Sequence, residues 1–139
     1  MKFYLETAEV YIPDHQPVGQ ALARTTHLCL AAHQDDIEIM AAQPIIECFQ
    51  QKDKWFTGVV VTDGRGSPRD SLYQNYTDDE MRLVRFKEQR KAAIIGEFAA
   101  QIMLDFPSKM IKDASRSEPV DDILAILRAT WQWDGRVHR

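Results

Sequence analysis

The chain has 139 residues, of which 45% are apolar and 27% charged, a size and composition that fit one domain and exclude a disordered or fibrous protein. Lys and Arg number 17 against 21 Asp and Glu, so the net charge of -4 leaves no basic surplus for nucleic-acid phosphates. The apolar run Leu28 to Ala32, as long as any in the chain, is far shorter than the ~20 residues of a membrane helix, and the early Glu6, Glu9 and Asp14 interrupt any secretory signal. A soluble cytoplasmic protein is expected. Cys29 and Cys48 match neither a metal knuckle nor a redox pair in spacing and are expected as reduced core residues.

In chain order, Ala8 to Ile12 predicts a short strand stopped by Pro13, and Pro17 opens a short helix through Arg24. His27 to Ala32 (HLCLAA) predicts a strand buried on both faces of a parallel sheet. Ile37 to Gln51 predicts a helix that Pro44 kinks or divides. Trp55 to Thr62 (WFTGVVVT) predicts a second buried strand, and Asp63, Gly64 and Gly66 are loop residues. Thr77 and Glu80 form a capping box, from which a helix should run to about Phe98 with Met81, Val84, Ile95 and Phe98 on one side. A weak strand follows at Ala100 to Leu104, then a loop with Pro107. A last helix runs from Glu118 to about Ala129, with Val120, Ile123, Leu124 and Leu127 as its apolar stripe. This alternation predicts an α/β fold: a Rossmann-like, three-layer α/β/α arrangement around a mostly parallel sheet. The stretch from Thr130 to Arg139 lacks strand alternation, so residues 1–139 read as one domain incomplete at its C-terminus.

Ligands of open parallel sheets bind beyond the carboxyl ends of the strands. His33, Gln34, Asp35 and Asp36 stand there, directly after the first buried strand, with Glu38 close behind. An imidazole and two carboxylates so close together can share a divalent cation and leave one carboxylate free as a base. Equally, Asp35 or Asp36 could cap the helix, and His33 could be a hydrogen-bonded strand-end residue. Gly64 to Pro68 form a G-x-G-S-P loop whose amides, with Arg65 or Arg69, could hold a sugar hydroxyl or phosphate; a plain turn is the alternative. Arg85 could line the cleft, or simply pair with Glu88 on the helix surface. Ser67 lacks the G-x-S-x-G elbow of a serine hydrolase, and His15 and His27 have no partner spacing. Trp55, Trp131 and Trp133 could stack on a sugar ring, although Trp55 is better placed for packing.

The segment Ala32 to Glu38, A-H-Q-D-D-I-E, resembles the A-H-P-D-D-x-E signature of the PIG-L/LmbE-like de-N-acetylases, zinc-dependent hydrolases of N-acetylglucosamine-type substrates. The T-D-G turn at Thr62 to Gly64 and the helix pattern Arg85, Glu88, Ala92, Gly96 are similar to the same family, over about residues 27 to 130. The resemblance implies His33 and Asp36 as ligands of zinc or another divalent metal, and Asp35 as the general base. It implies a small amino-sugar substrate. Metal lowers the pKa of water from 15.7 toward ~7 and stabilises the oxyanion of the attacked amide, which suits that assignment. Gln34 departs from the family's proline. The family's third ligand comes from a downstream H-x-x-H or H-x-D-H element, whereas His138 is the only histidine after His33 here. A chain cut short of that ligand is therefore expected, by truncation, frame disruption or divergence, with a homo-oligomer covering the sheet edge and supplying a histidine. A noncatalytic remnant or binding module, and a metal-dependent phosphoesterase using the same carboxylates and Arg65, are the competing readings.

Overall fold

The computed structural model describes residues 1–67, 69 and 71–131. Its elements are β1 (Glu9–Tyr11), α1 (Val18–Ala23), β2 (His27–Ala31), α2 (Asp36–Met40), α3 (Ala42–Cys48), β3 (Phe56–Thr62), a 3-10 turn (Ser71–Tyr73), α4 (Asp78–Ile95), β4 (Ala100–Phe106), α5 (Ser108–Ile111) and α6 (Glu118–Thr130). The four strands form one sheet in the order β1-β4-β3-β2. β2, β3 and β4 are parallel, with Leu30 opposite Val59 and Val59 opposite Ile102, while β1 runs antiparallel along β4. The α/β class and the mostly parallel sheet agree with the sequence.

Alternation along the strands sends side chains into two apolar clusters. Val59, Val61, Ile102, Leu104 and Phe106 pack with Leu22 of α1 and Ile126 of α6. Val60 and Met103 pack with Ile37 of α2, Cys48 of α3, and Phe86 and Ala93 of α4. Gly58 is needed where α2 crosses the sheet. A Cβ there would lie 2.7 Å from Gln101 Oε1 and 2.9 Å from Ile37 Cδ1.

Several expectations need correcting. β2 is an edge strand and half-buried for most of its length, because β3 covers only one of its sides. The weak strand is instead fully buried, since β4 lies between β1 and β3. Pro44 does divide its helix, but the break falls at Ala41; a proline ring collides with the carbonyl four residues earlier, here Met40, so α2 stops there and Pro44 sits in the first turn of α3. α4 keeps its predicted capping box but ends at Ile95, and its buried residues are Met81, Phe86, Gln89 and Ala93 while Ile95 is exposed. α6 buries Pro119, Asp122, Ile126 and Thr130, leaving Val120, Leu124 and Leu127 exposed. α5, following Pro107, was not foreseen in a stretch expected as loop.

Cys29 and Cys48 are free thiols, the former half-buried, and burial pushes both above the ordinary thiol range. Among the described residues no helix is long and apolar enough to cross a membrane. The expectations for residues 132–139, including Trp133 and His138, fall outside the described residues.

Candidate metal and catalytic site

The site is built where β2 gives way to α2. The backbone turns through Asp35 in the left-handed conformation, φ 72°, and α2 starts at the next residue. For a residue with a Cβ that geometry costs on the order of 1 kcal/mol. It also separates two neighbouring carboxylates. Asp35 Oδ2 lies 3.2 Å from Arg85 Nη1, whereas Asp36 Oδ2 lies 3.5 Å from His33 Nδ1 and accepts the His33 N–H at 3.3 Å. Asp35 occupies the position before the helix but makes no side-chain cap hydrogen bond, so helix capping does not account for it.

The turn is tied to β3 from beneath. Gln34 is buried and its Nε2 donates to the Thr62 carbonyl at 3.1 Å, while Thr62 Oγ1 donates to the Ala32 carbonyl at 2.7 Å. Gly64 completes the floor at φ 75°, where a Cβ would meet Gln34 Oε1 at 2.8 Å and Arg85 Cγ at 2.9 Å. Only glycine fits this position without moving two residues of the site.

Above that floor lies a cleft of about 550 Å³, lined by His33, Asp35, Asp36, Gly66, Ser67, Arg85, Ser108 and Lys112, among others. The side chains of His33, Asp35 and Asp36 are 62%, 61% and 40% exposed. Arg85 reaches Asp35 from α4, with Nη1 also donating to Glu88 Oε2 at 2.9 Å and Nε to Ser67 Oγ at 3.1 Å. Its pairing with Glu88 and its place in the cleft thus occur together.

Arg65 and Arg69 are not among the residues lining this cleft. Arg65 donates to Asp63 Oδ2 at 2.6 Å and to Asp79 Oδ1 at 3.1 Å. Burial works to lower the Arg65 pKa, but these carboxylates outweigh it and raise the guanidinium above its ordinary value. Arg69 pairs with Asp78 and donates to the Ser67 carbonyl at 2.7 Å. Both arginines hold the loop to the start of α4.

Sequence reasoning missed four participants. Asp105, at the end of β4, is buried at φ 67° and accepts Arg82 Nε with both oxygens at 2.8 and 2.9 Å. Gln89 accepts the Asp35 N–H at 3.4 Å. Ser108 and Lys112 reach the cleft from α5 and its end. Gln89 stands one helical turn from Arg85, the one signal that could have placed it on the site's side of the helix.

The donor set suits one ion in part. Two ligands of a tetrahedral zinc, with bonds of about 2 Å, stand about 3.3 Å apart. His33 Nδ1 and Asp36 Oδ2, at 3.5 Å, have that spacing without rearrangement. Among the described residues, no group of three or more His, Cys, Asp or Glu side chains is placed to hold a metal.

The family model of GlcNAc-PI de-N-acetylase, PIG-L, matches residues 28–133, which include the whole of this turn, its floor and α4. No curated protein and no solved structure matches the chain. The match covers most of the sequence, and the chain belongs to the GlcNAc-PI de-N-acetylase (PIG-L) family.

Proposed function

We propose that residues 1–139 form a metal-dependent de-N-acetylase domain that removes acetyl from an N-acetylglucosamine-like amino sugar or its conjugate. The observation that carries this reading is the divergence of Asp35 and Asp36 at the mouth of one cleft, in a chain of this family. His33 and Asp36 would hold the ion, with zinc the first choice for an imidazole–carboxylate pair. Zinc supplies such a site with Lewis acidity toward water and toward the amide carbonyl.

The other steps belong to the protein. Asp35 accepts the proton of the attacking water and returns it to the departing amine, a division of labour that needs one carboxylate away from the ion. Arg85 fixes the orientation of that carboxylate from 3.2 Å. Ser67, Ser108 and Lys112, which line the same cleft, offer donors to the sugar. The reading includes a three-layer, Rossmann-like architecture, a cytoplasmic location in keeping with two free thiols, and a homo-oligomer whose second copy supplies the remaining metal ligand.

Acetate release from N-acetylglucosamine conjugates by zinc-loaded protein tests it. Asp35→Asn should lower turnover by about 10²- to 10⁴-fold, the usual worth of a general base. Asp36→Ala should abolish stoichiometric zinc. No acetate and no bound zinc in the wild type would defeat the proposal in favour of a noncatalytic binding module, the reading favoured by the lack of a three-donor group among the described residues.

A further inference from the structure

Behind the exposed turn lies a chain of buried amides that the proposed reaction does not use. Gln89 is 1% exposed and Gln101 0%. Gln89 Nε2 donates to Glu38 Oε1 at 3.0 Å and to Gln101 Oε1 at 3.2 Å, and Gln101 Nε2 donates to the Ile102 carbonyl at 3.2 Å. Both hydrogens of the Gln89 amide are thereby committed to α2 and β4, which fixes which end of the amide faces the turn. Its oxygen faces the Asp35 N–H at 3.4 Å.

A glutamine in the middle of a helix is ordinarily a surface residue, and buried polar groups persist where they are bonded. Here the bonded partner is the backbone of the one residue in the cleft wall that holds a left-handed conformation despite its Cβ. Such a conformation persists only when its surroundings over-determine it. Gln34 secures the residue before, and Asp36 is secured by α2; Arg85 holds the Asp35 carboxylate, and Gln89 is the side chain that grips its backbone.

We propose that Gln89 is a positioning residue: by accepting the Asp35 N–H it keeps Asp35 left-handed and its carboxylate turned from Asp36. Glu38 and Gln101 act through Gln89 by holding its amide. The catalytic consequence rests on the reading of Asp35 as general base, but the conformational consequence does not.

Backbone NMR of the full chain tests it, through the φ of Asp35 and the exchange rate of its amide. In wild-type protein the Asp35 N–H should exchange slowly for so exposed a turn. In Gln89→Leu, Asp35 should leave positive φ, and kcat for acetate release should fall about tenfold, equivalent to about 1.4 kcal/mol, with KM within about twofold. Ile126→Val, in the apolar cluster with α6, should lower Tm and move neither readout. A fast-exchanging Asp35 amide in the wild type, or positive φ retained in Gln89→Leu, overturns the proposal. A shifted φ in Gln89→Leu, with a wild type that releases no acetate, supports the positioning role and refutes the deacetylase.

Discussion

Four aspartates stand at the carboxyl edge of one sheet, and they divide into two pairs. Asp63 and Asp105 are 4% and 2% exposed in their side chains, and each is closed off by an arginine within hydrogen-bond distance. Asp35 and Asp36 are 61% and 40% exposed and face a cleft. Position in the fold is the same for all four. What differs is burial: Arg85 also reaches Asp35, at 3.2 Å, but leaves its carboxylate open to the cleft, whereas a buried carboxylate is stable only when fully matched and is then closed to a metal or a substrate. The edge thus holds a structural pair and, on the proposed reading, a chemical pair, and the first holds the loops that frame the second.

That contrast can be broken experimentally. Asp105→Ala leaves Arg82 without its buried partner and should cost about 3 to 5 kcal/mol, read from the urea midpoint of unfolding. Gly64→Ala, forced to φ 75° against Gln34 and Arg85, should cost about 1 to 3 kcal/mol and reduce acetate release as well, since it displaces the guanidinium beside Asp35. Asp36→Ala, by contrast, should change stability by no more than about 0.5 kcal/mol in the absence of metal while removing zinc. A large loss of stability in Asp36→Ala would show that the chemical pair is structural after all.

Asp122 sharpens the comparison as a buried carboxylate with no cation paired to it among the described residues. Its oxygens accept the Tyr4 N–H at 3.2 and 3.3 Å, yet burial outweighs that bond and raises its pKa above the ordinary range. A raised carboxylate contributes its stability below the unfolded pKa of about 3.9 and loses it as pH rises through the folded value. Asp122→Asn should therefore gain on wild type as pH is raised from about 4 to 7, in urea titrations at each pH. Asp14 has the opposite sign. The Arg24 guanidinium lowers its pKa, against some burial, so its contribution is present above about pH 3.9 and is lost as pH falls; with its side chain 41% exposed, the effect is at most about 0.5 kcal/mol.

The features legible in the sequence were the local ones. Thr77 and Glu80 are three residues apart and exchange the two hydrogen bonds their spacing foretells. The H-Q-D-D segment lies beyond a strand because the strand's own composition marks its end. Whatever depended on a distant neighbour was hidden. The strand expected as weak over Ala100 to Leu104 extends to Phe106, and its polar Gln101 and Asp105 are satisfied by Gln89 and Arg82. The apolar stripe of α6 was plain, but the face it turns inward depends on α1 and β4, and Ile126 is buried there instead of Val120. The half-buried state of β2 follows from strand order alone, which spacing does not report. For the same reason the burial of Gln89 emerges only when α2 and β4 are set beside it.

The rims of the sheet are unequal. β1 is three residues long and runs antiparallel to β4, whereas β2 offers five residues in the common direction and runs straight into the His33–Asp36 turn. Any strand that joined the assembly in parallel would find its better berth beside β2. A newcomer at that rim would arrive next to His33 and Asp36, so that enlarging the sheet there would also add a wall to the cleft.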